Sequence, residues 1–569
     1  MNIEEARQIF TLTSELIAQK NWGLAQENLE LLERAFPDRE SVKINLLTVF
    51  LEQKLVQQCQ PLVNQLQHST NPIALQNCGK YFELLNSFDM ALEYYAKAYE
   101  LDKNNLEITN CCSVTQARLG SYEQAANFSE LCFSLSKDLY YMKRAAYYYA
   151  SCCNWEDETR CWNQSVKAPH PFFDISRFTD PADCRLSAEN MTKTEGTPAN
   201  TITVPINKDQ PTIGFLSGEF REHATTKLLI SVLEDLSASD TFKIVLFDNG
   251  PKDNSKYRSR LENMGAIIHD ISMMTDDDAH RLIRETKTNV LINLNGFFGR
   301  HRNSLFFRRS APIQINYLGF PGTMGHPSID YLIGDESVTP ISDQRYYTEN
   351  IVNLPGCYQP QDSRRERPQT LLRSELGLPE NLFLFCCFNN NYKITQDIFD
   401  TWMEILGSTP DSKLIILQDN DDTLINLRKA ANNHDMTKRV MLVPRQTTNR
   451  YLQTMACCDL FLDTFPYNAH TTCADALFMD LPVLTICGKT FPSRVAASLL
   501  RHFGLDSLGL ITDSLLDYKT QAIKIYKDRC NFKNNVSIAR SKTMQLKGRE
   551  SYAVGFKDLL TRILTSHGN

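Results

Sequence analysis

Five short clusters in this 569-residue chain hold the side chains that could do chemistry. The densest is LDTFPYNAHTTCAD, Leu462–Asp475. A strand is expected to end at Leu462, Pro466–Ala469 to turn, and His470-Thr471-Thr472 to open a helix. Thr471 or Thr472 is expected to cap that helix, with Asp475 completing a capping-box spacing. Such an opening aims free N–H groups at the carboxyl end of a sheet and attracts anions. Two hydroxyls and an imidazole suit a diphosphate, and Asp475, one turn in, can accept from ribose hydroxyls. The same letters also serve a well-capped helix with no ligand.

The second cluster is FNNNYKI, Phe388–Ile394. Lys393 at a strand-to-helix junction can neutralise a diphosphate as a point charge, or be a surface lysine beside an Asn-rich turn. In GFLSGEFREHATT, Gly214–Thr226, a turn delivers Glu219 and His223 to a strand end. A carboxylate and an imidazole together can serve as general base or proton relay, although a lone histidine is more often structural. In Leu294–Thr323, Asn295-Gly296 turns tightly, and Gly319, Gly322 and the following Gly325 occupy a loop. Those glycines either admit a sugar or phosphate close to the backbone or only make turns. In GKTFPSRVAASLL, Ser493-Arg494 marks a helix start that is anion-competent or merely structural. All five clusters follow strands, so they are expected to face one crevice.

The elements that must position them come in two styles. Residues 1–165 are rich in Leu, Gln, Glu, Ala, Tyr and Cys at helical spacing. Aligning Asn71–Leu101 with Asn105–Leu135 puts Phe88 on Tyr122, Ala91 on Ala125 and Ala98 on Cys132, each 34 residues apart. Small residues let paired helices approach while aromatics fill the gaps, which resembles a tetratricopeptide repeat. An ordinary helical bundle is the alternative. Residues 166–208, with Pro169, Pro171, Pro181 and Pro198 and the Thr-rich Thr192–Thr203, are expected to form an extended connector. Then strand-like runs alternate with helical ones: Thr212–Ser217, Phe242–Phe247, Asn289–Leu294 and Ile313–Leu318, and from Leu382 a second series through Val483–Ile486. This alternation predicts α/β architecture with parallel sheets in two Rossmann-like lobes, 209–375 and 376–569, the latter ending in C-terminal helices. Neither lobe carries GxGxxG, which argues against a dinucleotide oxidoreductase.

Composition narrows the function classes. The net charge of −7 offers no broad footprint for nucleic acid or anionic lipid. No apolar stretch approaches the ~20 residues of a membrane span, and the acidic start lacks a signal-peptide layout. The 17 cysteines form no CxxC and are expected to be buried, reduced thiols in a cytoplasmic protein. The acidic runs Asp276–Asp278 and Asp419–Asp422 are expected to be solvated loop charge rather than a metal site.

The set VLINLNGFFGRHRNSLFFRRSAPIQINYLGFPGTMG, FNNNYKI, LDTFPYNAHTTCAD and SRVAASLL resembles the catalytic region of the O-GlcNAc transferase family, over about residues 150–535. That family joins tetratricopeptide repeats to a two-lobed GT-B transferase, so the resemblance implies an α/β GT-B region behind the helical repeats. It implies inverting, metal-independent sugar transfer from a nucleotide donor, UDP-GlcNAc above all, to Ser or Thr of protein acceptors that the repeats select. No cofactor beyond the donor is implied. Lys393, His470, Thr471 and Thr472 would surround diphosphate and nucleotide, and Asp475 would hold the ribose. His223 would sit by sugar and acceptor, with Glu219 where the family often has Asp, and His170 would stand for a connector histidine. Asn390 stands where animal members carry Gln, and Thr448, Tyr451 and Thr454 replace Lys, His and Arg positions. Relatives of this fold that use GDP-fucose, or that glucosylate Asn, remain alternatives, as does a repeat scaffold with an inactive transferase region. The resemblance leaves the oligomeric state open.

Overall fold

The computed structural model describes residues 1–195, 210–546 and 552–567. They form two compact units: Met1–Tyr149 with Glu156–Ser165, and Ala150–Trp155 with Val166 onward.

In the first unit the 34-residue alignment has a backbone counterpart. Asn71 and Asn105 cap the helices Pro72–Leu84 and Leu106–Arg118. Their partner helices, Phe88–Leu101 and Tyr122–Ser136, follow turns in which Asn86 and Gly120 are left-handed, with φ of +57° and +83°. Lys20 and Lys54 repeat that conformation at the matching turns upstream. One left-handed residue reverses the chain between antiparallel helices. Ala91, Ala98, Ala125 and Cys132 are fully buried. At Gly79 a Cβ would stand 2.4 Å from the Tyr95 ring, so the glycine is what admits the aromatic. This is a helical repeat, not an irregular bundle.

The second unit holds two parallel sheets. The first comprises β1 (Thr212–Ser217), β2 (Lys243–Asp248), β3 (Ile267–Asp270), β4 (Val290–Asn293), β5 (Ile313–Asn316), β6 (Tyr331–Asp335) and β7 (Asn350–Leu354). Its spatial order is β3-β2-β1-β4-β5-β6-β7. The second comprises β8 (Phe383–Cys387), β9 (Ser412–Gln418), β10 (Val440–Pro444), β11 (Leu460–Leu462), β12 (Val483–Ile486) and β13 (Ile511–Thr512), ordered β10-β9-β8-β11-β12-β13. All neighbouring strands are parallel, and the order in which the chain adds them reverses between β1 and β4 and between β8 and β11. In doubly wound sheets the crevice outside those carboxyl ends is where ligands bind. Four of the five clusters begin at these positions: after β1, β4, β8 and β11. This is the GT-B arrangement that the sequence implied.

Several expectations are corrected. The connector is not extended over its described part: Pro171–Asp174 and Pro181–Thr192 are helices, each with proline in its first turn, where a missing N–H costs nothing. Pro198 and Thr197–Thr203 lie outside the described residues. The last helix, Tyr552–His567, returns to the first sheet, where Phe556 packs on Tyr317 with ring centroids 5.2 Å apart, so a linear division at residue 375 does not separate the lobes. The acidic runs are not loops: Asp276–Asp278 and Asp421-Asp422 occupy first helical turns capped by Thr275 and Asn420. Asp276 pairs with Arg302 at 2.7 Å. Among the described residues no cluster of three His, Cys, Asp or Glu has metal-holding geometry, and no helix is long and apolar enough to cross a membrane.

Candidate active site

β8 ends at Cys387, and the next six residues carry Lys393 to the mouth of the second sheet. The ammonium is buried, donates to the Asn468 carbonyl at 2.9 Å and lies 3.9 Å from the Tyr467 ring centroid. Burial lowers its pKa to about 7, against the pull of the Asp463 carboxylate. Asp463, just past β11, is the organiser of this corner. Its Oδ1 accepts from the backbone N–H groups of Thr464 and Ala469 and from Asn389 Nδ2, and its Oδ2 accepts from Thr485. One carboxylate thus fixes the whole turn that leads to His470.

The helix Thr471–Phe478 opens without a side-chain cap. This overturns the expected capping box. Thr471 and Thr472 are already the first helical residues, so the cap position falls to His470. Its ring turns away, donating from Nε2 to the Pro492 carbonyl at 3.2 Å and packing 4.7 Å from Tyr467. Burial and the nearby Lys393 hold the imidazole well below its ordinary pKa, so it is a neutral hydrogen-bonding group rather than a second cation. Asp475 does not reach back to the opening either: its Oδ1 pairs with Arg365 at 2.6 Å, and burial raises its carboxyl. The Tyr451 hydroxyl leans on the same carboxylate. The neighbouring helices Gln396–Gly407 and Asp421–Asn433 are capped by Thr395 and Asn420. The opening at Thr471 differs from both in having no side-chain cap.

Across the crevice, Glu219 is 3% exposed and its Oε2 binds Arg221 at 2.6 Å. It lies 4.0 Å from His223 Nδ1. So enclosed, Glu219 bonds its own neighbours Arg221 and Thr226 through side chain and backbone. His223 caps the helix Ala224–Ser237 by accepting the Thr225 N–H at Nδ1, 3.3 Å. That bond puts the ring proton on Nε2, and burial lowers the pKa. His170 is held the same way, its Nδ1 accepting from Phe173 N–H. Aromatic rings join the two walls: His223 on Phe298 at 5.8 Å, Phe298 on Phe172 at 5.2 Å, Phe172 on Tyr392 at 5.6 Å and Tyr392 on Tyr467 at 6.1 Å.

The remaining candidates divide. Asn390 is exposed and accepts from Arg445 at 3.0 Å. Thr448 receives Lys227 Nζ at 3.0 Å and donates to Glu222, joining the helix Thr448–Ala456 to the first lobe. Thr454 bonds Gln446 and its own helix. Arg494 is corrected from an anion ligand to a structural pair: it binds Asp343 at 2.7 Å and the Gly488 carbonyl at 3.0 Å. Gly319 and Gly322 serve packing. A Cβ at Gly319 would stand 2.0 Å from the Leu294 carbonyl oxygen, and one at Gly322 would meet Phe320 at 3.0 Å. Asp463, Arg365 and Lys227 are site residues that sequence reading missed. Asp463 alone left a signal, being the acid that ends a buried strand in the densest cluster.

Comparison with known proteins agrees with this geometry. The family described as Glycosyl transferase family 41 matches residues 193–371 and 363–553, well over half of the chain. A protein of Arabidopsis thaliana named as the probable UDP-N-acetylglucosamine–peptide N-acetylglucosaminyltransferase SEC is 30% identical over 409 residues, covering 66% of this chain and 41% of that protein. A protein of Petunia hybrida named as the probable UDP-N-acetylglucosamine–peptide N-acetylglucosaminyltransferase SPINDLY is 28% identical over 338 residues, covering 57% of this chain and 35% of its own length. The chain therefore spans less than half the length of these curated relatives. Among solved structures, a variant of the O-GlcNAc transferase of Thermobaculum terrenum matches 99% of this chain and 98% of its own, with a TM-score of 0.68 at 21% identity, a likeness of fold. With two doubly wound lobes whose switch points carry the clusters, and a family match running through both, this chain belongs to glycosyltransferase family 41.

Proposed function

We propose that the chain is an inverting O-glycosyltransferase that moves GlcNAc from UDP-GlcNAc to Ser or Thr of polypeptide acceptors, and that its helical repeats select those acceptors. The observation that carries the reading is the uncapped opening of Thr471–Phe478 beside the buried Lys393. In-line attack at the anomeric carbon develops negative charge on the departing diphosphate, and preorganised donors there lower the barrier. In this reading Lys393 supplies the cation and the Thr471 and Thr472 amides and hydroxyls supply donors. His470 offers Nδ1 as an acceptor, Asp475 takes the ribose, and no metal is needed. His223, protonated on Nε2, is a donor toward sugar or acceptor oxygens. Accepting a proton there would require moving its own to Nδ1 and giving up the Thr225 cap.

Mass spectrometry of peptide acceptors incubated with UDP-GlcNAc, UDP-glucose and GDP-fucose tests the proposal. The expected result is transfer from UDP-GlcNAc, with UDP and UDP-GlcNAc raising the melting temperature. Transfer from GDP-fucose alone would replace the donor. Neither turnover nor a thermal shift with any donor would leave a repeat scaffold.

A further inference from the structure

A second cavity, of about 740 Å³, lies at the other end of the second sheet. Phe383 opens β8, Asp459 precedes β11 and Pro482 precedes β12, and all three line it. The donor crevice is at the carboxyl ends of those strands. Five residues at about 3.3 Å each put roughly 16 Å of β8 between the two. The cavity's volume is that of a small-molecule site.

Its chemistry is specific. Phe383, Phe478, Phe503, Phe532 and Val536 make an apolar floor. The acids on its wall are spent: Asp362 on Arg260 at 2.6 Å, Asp459 on Arg373 at 2.7 Å, and Asp480 on Arg367. Arg529 and Lys533, one turn apart on the helix Arg529–Leu546, have no carboxylate partner among the described residues. Gln361, also on the wall, keeps its Nε2 buried with no acceptor. An apolar floor under surplus cations and an unused donor fits one kind of occupant, an apolar body bearing an anionic group.

The cavity also touches the crevice through one side chain. The guanidinium of Arg365 lies 4.5 Å from the Phe478 ring centroid, on the cavity wall, while its Nη1 holds Asp475 at 2.6 Å. The helix Thr471–Phe478 runs from one site to the other. We propose that this cavity is a second binding site, for a small amphipathic anion, and that its occupancy changes nucleotide affinity by moving Arg365 against Asp475. The coupling rests on reading Asp475 as part of the donor site; the binding does not.

The probe is 8-anilinonaphthalene-1-sulfonate, titrated by fluorescence into the full chain. One saturable site is expected, with the double variant R529Q/K533Q binding about tenfold or more weakly, since charge-assisted contacts are lost. The cavity-filling Val536→Trp should abolish binding, with circular dichroism unchanged. The uncharged N-phenyl-1-naphthylamine should bind more weakly than the sulfonate. UDP affinity by calorimetry should shift at least threefold with saturating probe, and not in Arg365→Met. Probe displaced without limit by UDP, or indifferent to all three substitutions, would overturn the site. Flotation with anionic vesicles that depends on Arg529 and Lys533, without small-molecule binding, would overturn it in favour of a membrane surface. Probe binding with no shift in UDP affinity would refute the coupling. Failure of UDP to bind at all would instead sink the donor-site reading and leave the cavity site standing.

Discussion

Lys393→Met isolates the charge on which catalysis is argued to depend. Met keeps an unbranched stem of similar length, so the space beside Tyr467 stays filled. Removing the ammonium leaves the Asn468 carbonyl without its donor, a cost of about 1–3 kcal/mol, and relieves the desolvation that already lowers the lysine's pKa to about 7. The two effects oppose each other, so the melting temperature should move by only a few degrees. Rate is different. A unit charge about 4 Å from a developing phosphate charge is worth roughly 4 kcal/mol at an effective dielectric of 20. Only the part that grows between ground and transition state slows kcat, so a loss of about 10²–10³-fold is expected. Quantifying glycopeptide by mass spectrometry at saturating donor, beside a thermal melt, reads both. Turnover within threefold of the parent in a folded variant would refute the charge argument. The pH profile gives a second reading. In the free enzyme the amine loses its proton as pH rises through about 7, so kcat/KM should fall there. A bound diphosphate raises the pKa again, so kcat should stay level to higher pH. The variant should lack that limb.

Other residues give sharper contrasts. Asp475→Asn should weaken UDP binding about tenfold by calorimetry and cost about 1–3 kcal/mol of stability, because Arg365 loses its carboxylate partner. Arg494→Gln should cost about 1–3 kcal/mol in urea denaturation by stranding Asp343, with UDP affinity unchanged; an affinity loss without instability would restore the ligand role. Gly319→Ala should destabilise by roughly 2–4 kcal/mol, or yield little folded protein, since its Cβ meets the Leu294 carbonyl; a neutral effect on the melt would contradict the close approach. His223→Ala removes a cap as well as a donor and should cost about 1 kcal/mol of stability, whereas His223→Asn should recover the stability but not the turnover.

What was legible in the fold follows from burial. β1, β4, β8 and β11 sit mid-sheet and are buried along their length; β8 and β11 are wholly apolar, and β1 and β4 are apolar but for Gly214 and the polar residues at their ends. β3, β7 and β13 lie at or beside sheet edges. Ile267–Asp270 is half exposed, so its sequence holds no such run, and Ile511–Thr512 is two residues long. The helix Pro181–Thr192 is hidden by its own proline: Pro181 reads as punctuation, yet with Asp180 as cap it starts the helix.

The site divides along the same physical line. Lys393 and His470 stand out because their neighbours in sequence are their neighbours in space. Arg365 meets Asp475 from 110 residues away and Lys227 meets Thr448 from 221, so no local pattern announces either. The failed capping box is more telling than these omissions. Thr471, Thr472 and Asp475 have the spacing to satisfy the helix opening among themselves, and a chain under no other demand would fold that way. Here Asp463 instead draws the Thr464 and Ala469 amides into one tight turn, the helix starts at least one residue earlier than expected, and His470 bonds Pro492. Arg365 then holds Asp475 away. Three separate contacts are maintained to leave one set of amides unfilled beside a buried ammonium. A local rule left unused in this way is where the proposed donor site, rather than the fold alone, would account for the sequence, and retained UDP affinity in Thr471→Pro would refute that account.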